Sequence, residues 1–77
     1  MLDIFQQQTH DMNIVINGEQ KTVSAGITIA QLLDSFKIVP ATIVAELNKV
    51  IVLPDTYTSS SLLEGDRLEF IRFVGGG

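Results

Sequence analysis

Residues 12–33 read MNIVINGEQKTVSAGITIAQLL, and the fold is decided there. Met12 to Asn17 alternates around β-branched side chains, the pattern of a strand with one buried face. Asn17-Gly18 comes next, and both residue types tolerate the positive φ that a two-residue hairpin turn demands. Gln20 to Ser24 is then the returning strand. Thr28-Ile29-Ala30-Gln31 fits a capping box, in which the threonine hydroxyl accepts from the Gln31 amide and the Gln31 side chain reaches back. Ile27 and Leu32 stand where a hydrophobic staple requires apolar residues. Ile29, Leu32, Leu33 and Phe36 recur at helical spacing, so a helix from Ile29 to Lys37 has one apolar face, and Pro40 prevents much continuation.

Downstream, Ile43 to Leu47 and Val50 to Leu53 are two short β-rich runs joined by Asn48-Lys49, a second hairpin that Pro54 ends. Asp55 to Ser61 is rich in Thr and Ser, a loop or a single helical turn, after which Leu62 and Leu63 dip back to the core. Glu64-Gly65-Asp66 is a turn, and Arg67 to Val74 is the last and longest strand. The order is hairpin, helix, hairpin, strand. One helix packed across a mixed four- to five-stranded sheet, with the first and last strands as central parallel neighbours, buries these faces economically. That α+β arrangement is the β-grasp. Its expected core is Ile14, Ile16, Val23, Ile29, Leu32, Leu33, Leu47, Val52, Leu68 and Phe70.

Composition narrows the function. At 77 residues, with 45% apolar and 18% charged residues, the chain has room for one small folded domain. Cysteine is absent, His10 is the single histidine and the carboxylates are scattered, which excludes disulfides, zinc and other metal sites, iron–sulfur clusters and cysteine nucleophiles. His10 beside Asp11 reads as a solvated pair. The net charge is −4, and the five basic residues (Lys21, Lys37, Lys49, Arg67, Arg72) are dispersed, so no nucleic-acid footprint is expected. An acidic surface suits protein partners with basic docking sites. No apolar run approaches the roughly 18 residues that cross a bilayer, and the N-terminal stretch lacks a charged n-region, so the expectation is a cytoplasmic protein without membrane contact. Residues 1–11 read as an appended, mobile extension, residues 12–74 as the β-grasp domain and residues 75–77 as a flexible tail.

No catalytic triad, helical carboxylate pair, P-loop or dinucleotide-binding glycine pattern is present, so the chain is not read as an enzyme. The anomaly is the end. Gly75, Gly76 and Gly77 are three of the six glycines and come directly after a strand. One reading is an inert frayed end. The other makes the Gly77 α-carboxylate the reacting group, on a thin tether of three glycines that extends roughly 10 Å and passes a narrow channel. A carboxylate is a poor electrophile, so a partner must activate it, most simply as an acyl-adenylate made from ATP.

These residues carry a resemblance. From Met12 to Gly77 the chain resembles the ThiS family, the ubiquitin-like sulfur carriers of thiamine biosynthesis that end in Gly-Gly. The matching features are MNIVINGE, the helix start TIAQLL, the AELNKVIV hairpin, the LLEGDRLEF turn and strand, and the terminal FVGGG. Residues 1–11 have no family counterpart and read as an alternative start or a tag, and Gly75 exceeds the minimal Gly-Gly. The resemblance implies that an E1-like adenylyltransferase adenylates Gly77 with ATP and Mg²⁺, which the carrier itself does not bind. A sulfur relay from a cysteine desulfurase then converts the adenylate to a thiocarboxylate, and thiazole synthase takes the sulfur. Absence of cysteine agrees with this, since the sulfur must ride on the carboxylate. The free carrier is expected to be a monomer. The runner-up is the small subunit of molybdopterin synthase, whose members usually carry prolines before the glycines where this chain has Arg72-Phe73-Val74. From another class comes a ubiquitin-like covalent protein modifier, and a third reading is an interaction domain with an inert tail.

Period-two alternation in the last strand turns Leu68 and Phe70 inward and Glu69, Ile71 and Phe73 outward, and Val15 in the first strand points the same way. Val15, Ile71 and Phe73 then form an apolar patch that leads through Val74 to the tail, rimmed by Glu69 and Lys21. That patch is the expected partner-binding surface.

Overall fold

The computed structural model describes residues 11–72. Strands β1 (Asp11–Ile16) and β2 (Glu19–Ser24) form the first hairpin, helix α1 (Ile29–Ser35) comes next, and β3 (Ile43–Leu47) and β4 (Val50–Val52) form the second hairpin before β5 (Arg67–Arg72). The five strands lie in the order β2-β1-β5-β3-β4. β1 and β5 are the parallel central pair, and every other pairing is antiparallel. This is the expected β-grasp.

Local chemistry explains the elements. Asn17 at φ 50° and Gly18 at φ 83° make the first turn, a left-handed pair whose twist matches that of the strands. Asn48 at φ 50° and Lys49 at φ 72° make the second turn the same way. Thr28 and Gln31 form the capping box in both directions, at 3.1 and 3.0 Å.

The helix ends two residues earlier than its apolar spacing predicts. Lys37 adopts φ 60°, its N–H donates to the Asp34 carbonyl, and the Ile38 N–H donates to the Leu33 carbonyl. That is a Schellman motif with lysine in the position glycine usually holds, so no glycine marks the stop in the sequence. Phe36 consequently caps the helix and is exposed, instead of extending its buried face.

The core is built from Met12, Ile14 and Ile16 of β1, Ile29, Leu32 and Leu33 of α1, Ile43 and Ala45 of β3, and Tyr57, Leu62 and Leu68. Six of the ten expected core residues are buried, and Val23, Leu47, Val52 and Phe70 are partly buried against them. Burying each large side chain contributes about 1.5–3 kcal/mol. Met12, Ile43, Ala45 and Tyr57 join the core beyond the expected set. Asp55 to Ser61 resolves into a 3-10 helix, Pro54–Ser59, which carries Tyr57 inward.

Two further differences concern orientation. Leu62 is buried, but Leu63 is 69% exposed. The Leu62 N–H is drawn to the Ile27 carbonyl beside the helix start, and the Leu63 N–H turns to the Asp66 carboxylate at 2.8 Å, so the two leucines part. β1 begins at Asp11, which pairs with Ser24, so the sheet starts within the stretch read as an extension. The expected continuation of β5 to Val74 falls on residues outside those described.

Candidate docking face and carrier strand

β5 delivers the chain toward the glycines, and both hairpins hold it. On one side the Val15 N–H donates to the Asp66 carbonyl and the Asn17 N–H to the Leu68 carbonyl, each at 2.9 Å. On the other, β3 pairs with β5 over five residues, from Leu47 opposite Leu68 to Ile43 opposite Arg72. The two turn asparagines add side-chain ties. The Phe70 N–H donates to Asn17 Oδ1 at 2.8 Å, and the Arg67 N–H donates to Asn48 Oδ1 at 3.0 Å. Asn48 Nδ2 also donates to the Asp66 carboxylate at 3.1 Å. Each asparagine thus serves the left-handed turn with its backbone and clamps β5 with its side chain.

The face of the sheet away from α1 is set by the register. Ile71 lies opposite Val44, Glu69 opposite Glu46, and Ile51 opposite Glu46 on the far side. Val15 pairs with Arg67 across the parallel ladder. Ile71 is 44% exposed, Glu69 is exposed and Val15 is half-buried. The structure therefore brings Val15, Glu69 and Ile71 onto the same outer face, as period-two reading predicts. A depression of about 340 Å³ on this face is lined by Val15, Glu46, Lys49, Arg67 and Glu69, among others.

Lys21 is not part of this surface. It pairs with Ile14, a core residue, and so lies on the helix side of the sheet, where it forms an ion pair with Glu19 at 3.5 Å. Its expected place on the rim fails because the hairpin register, carried across from β1, turns it to the other face. Phe73, Val74, Gly75, Gly76 and Gly77 lie outside the described residues. The face also includes Val44, Glu46 and Ile51, beyond the residues expected there. Their signal is the same alternation: Ile43 and Ala45 are buried, so Val44 and Glu46 point outward.

Glu46 and Glu69 form a direct cross-strand pair of like charges. Such a pair weakens a sheet modestly, and among the described residues the ion pair found is Lys21–Glu19, elsewhere. The outer face thus presents the Glu46–Glu69 pair, with Arg67 and Lys49 beside it, next to an apolar row. Among the described residues, no group of three or more His, Cys, Asp or Glu is gathered as for a metal ion, and no helix is long and apolar enough to cross a membrane.

A five-stranded mixed sheet with one crossing helix, and a last central strand that leads into glycines, defines a protein of the ubiquitin-like β-grasp class. The sequence pattern of the ThiS family matches residues 14–77, and the chain belongs to that family. The crystal structure of the thiamine biosynthesis protein ThiS from Geobacter metallireducens superimposes with a TM-score of 0.75 at 30% identity, covering 86% of this chain and 100% of that one. A solution structure of a thiamine biosynthesis protein from the same organism gives a TM-score of 0.70 at 30% identity, covering 86% and 88%. Two curated relatives, from Paramagnetospirillum magneticum and Magnetococcus marinus, are 36% and 38% identical over 66 residues, and both are named thiazole synthase. The match covers 86% of this chain but spans only 20% of each of those relatives.

Proposed function

We propose that the chain is the sulfur carrier of thiazole formation in thiamine biosynthesis, with the Gly77 α-carboxylate as the group that carries sulfur. The observation that bears most weight is the family match over residues 14–77, which includes the terminal glycines as well as the β-grasp body. In this reading an E1-like adenylyltransferase, using ATP and Mg²⁺, lets the carboxylate attack the α-phosphorus and releases pyrophosphate. A relay persulfide charged by a cysteine desulfurase attacks the acyl carbon and displaces AMP, leaving an acyl disulfide, and a thiol then cleaves that disulfide by exchange, releasing the thiocarboxylate as the thiol is oxidised to a new disulfide. The carrier supplies no acid, base or metal to these steps; it acts as co-substrate and presents its end.

Thiazole synthase is the proposed consumer of the sulfur. The two relatives that bear that name contain a region like this chain within a much longer polypeptide, which supports a working pairing of the two parts. The thiamine biosynthesis proteins among its structural neighbours favour this reading over the small subunit of molybdopterin synthase. The proposed docking surface for both partners in turn is the outer face, with Val15, Glu69 and Ile71, together with Phe73 and Val74, which follow β5 in sequence. Its apolar row and mixed charges, Glu46 and Glu69 beside Arg67 and Lys49, fit a partner surface with aliphatic and complementary charged groups.

The test compares the chain with a variant lacking Gly77. With the adenylyltransferase, ATP, Mg²⁺ and radiolabelled pyrophosphate, the intact chain supports exchange of label into ATP, and the variant supports none while melting at the same temperature. Exchange by the shortened chain would remove the carboxylate from the mechanism. When the sulfur relay is added, intact mass should show one sulfur in place of one oxygen; isopeptide adducts would instead mark a protein modifier.

A further inference from the structure

The two turn asparagines hold opposite ends of β5. Asn48 acts where the strand begins: its N–H donates to the Arg67 carbonyl, and the Arg67 N–H donates back to its side-chain oxygen. Asn17 acts on the half that leads to the glycines. Along the parallel ladder the Val15 N–H donates to the Asp66 carbonyl and the Asn17 N–H to the Leu68 carbonyl, so Leu68 and, by alternation, Phe70 and Arg72 turn their backbone groups toward β1. One step further, a continued ladder would bring the Phe70 N–H to the Asn17 main-chain carbonyl. β1 ends at Ile16, however, and the chain turns away at Asn17-Gly18. The Phe70 N–H is met instead by Asn17 Oδ1 at 2.8 Å, across 53 residues of chain.

On its other side β5 pairs with β3 as far as Arg72, whereas its pairing with β1 stops at Leu68. Among the described residues, the Asn17 side chain therefore supplies the last tie to β5 on the β1 side.

We propose that Asn17 is a positioning residue for the reacting end: its carboxamide keeps β5 seated past the point where β1 stops, and so fixes where the chain leaves the body. The inference rests on the function proposed above. Five residues, 73–77, follow Arg72, and a strand seated only to Leu68 would leave nine, 69–77, between its last held residue and the end. Effective concentration falls roughly as the −3/2 power of tether length, so the longer tether dilutes the Gly77 carboxylate about two- to threefold at the active site of a docked partner.

Glycine at position 17 separates the turn from the tie, because it takes φ 50° without strain and removes the acceptor. Asn48→Gly is the matched control, since it gives up ties to both Arg67 and Asp66 and should lower the melting temperature at least as much as Asn17→Gly. In the free chain, Asn17→Gly should quicken hydrogen exchange of the Phe70 amide about fivefold or more, the loss of one hydrogen bond. Val15 should stay as slow as before, and Asn48→Gly should leave Phe70 unchanged. With the adenylyltransferase, at a temperature where every chain is folded, kcat/KM for pyrophosphate exchange should fall about two- to threefold in Asn17→Gly and hold its wild-type value in Asn48→Gly. Asn17→Asp keeps an acceptor oxygen and tolerates the left-handed turn, so it should restore both readings. A Phe70 amide that is no faster in Asn17→Gly, an unmoved kcat/KM, equal kcat/KM losses in the two glycine variants, or an Asn17→Asp chain that behaves like Asn17→Gly overturns the positioning role and leaves the carrier function standing. A folded intact chain that supports no exchange of label overturns the parent reading and this one with it.

Discussion

The two hairpins are built on the same turn and put to different uses. Each turns on an asparagine at φ 50°, and each asparagine side chain accepts a hydrogen bond from a β5 amide. They differ in the second turn residue and in the strand beyond it. The first has glycine at that position, and its outer strand β2 (EQKTVS) is six residues long and mostly polar. The second has Lys49 there, and its outer strand β4 (VIV) is three residues long and aliphatic. One edge of the sheet is guarded by polar and charged side chains, and the other is left short and apolar. The two edges of the sheet thus differ in how far their side chains protect them against further pairing.

Substitutions can break or sharpen this comparison. The largest effect is expected at Leu68, which sits in the row that joins Ile16 of the first hairpin to Leu47 of the second. Leu68→Ala should destabilise the fold by about 2–5 kcal/mol in urea denaturation, because it opens a cavity between both hairpins at once. A loss below about 1 kcal/mol would mean that the two hairpins are not coupled through β5.

Next come the asparagines. Asn17→Ala and Asn48→Ala should each cost about 1–3 kcal/mol, since alanine gives up both the left-handed preference and the tie to β5. Equal losses would support the common design. A negligible effect at either site, read from chemical denaturation, would show that its side-chain bond to β5 does not contribute.

The turns themselves separate the hairpins. Gly18→Ala should destabilise by about 1 kcal/mol, because φ 83° is strained for any residue with a Cβ. Lys49→Gly should do the opposite and stabilise by about 0.5 kcal/mol, as it relieves the same strain in the second hairpin against a small loss of unfolded-state restriction. If both changes destabilised equally, Lys49 would be making a contact worth more than its strain.

The smallest effects on stability belong to the outer face. Ile71→Ser and Glu69→Lys should each change the melting free energy by less than about 0.5 kcal/mol, as exposed substitutions do. Binding to the adenylyltransferase should nevertheless weaken in both, and the Glu69→Lys loss should show chiefly in the association rate and its salt dependence. Unchanged affinity would take the docking surface away from this face, and a large loss of stability at Ile71 would return that residue to the core.

What the amino-acid sequence makes legible is what is local. Asn17-Gly18 and the Thr28–Gln31 box act within three or four residues, so the hairpin, the helix start and the chain's topology can be read directly. The inward and outward sides of β5 come from alternation alone, which puts Glu69, Ile71 and Val15 on the right face. Features that depend on tertiary partners are not readable. Tyr57 lies in a polar stretch, and only the packing of its 3-10 helix against α1 brings it inside. Lys37 ends the helix in a conformation that glycine normally signals. The turn asparagines announce their hairpins, but nothing near them in sequence reveals that their side chains reach 19 and 53 residues along the chain.

The way β5 is seated has a mechanical consequence. The strand runs parallel to β1 and antiparallel to β3, and its C-terminal end leads on toward the glycines. Inter-strand hydrogen bonds lie across the strand axis. A pull on the chain beyond Arg72, directed along the strand, therefore loads the bonds to both neighbours in shear and all together, whereas a pull at right angles would peel them one after another. A partner that draws the end into a narrow channel can haul on it without unzipping the body that carries it.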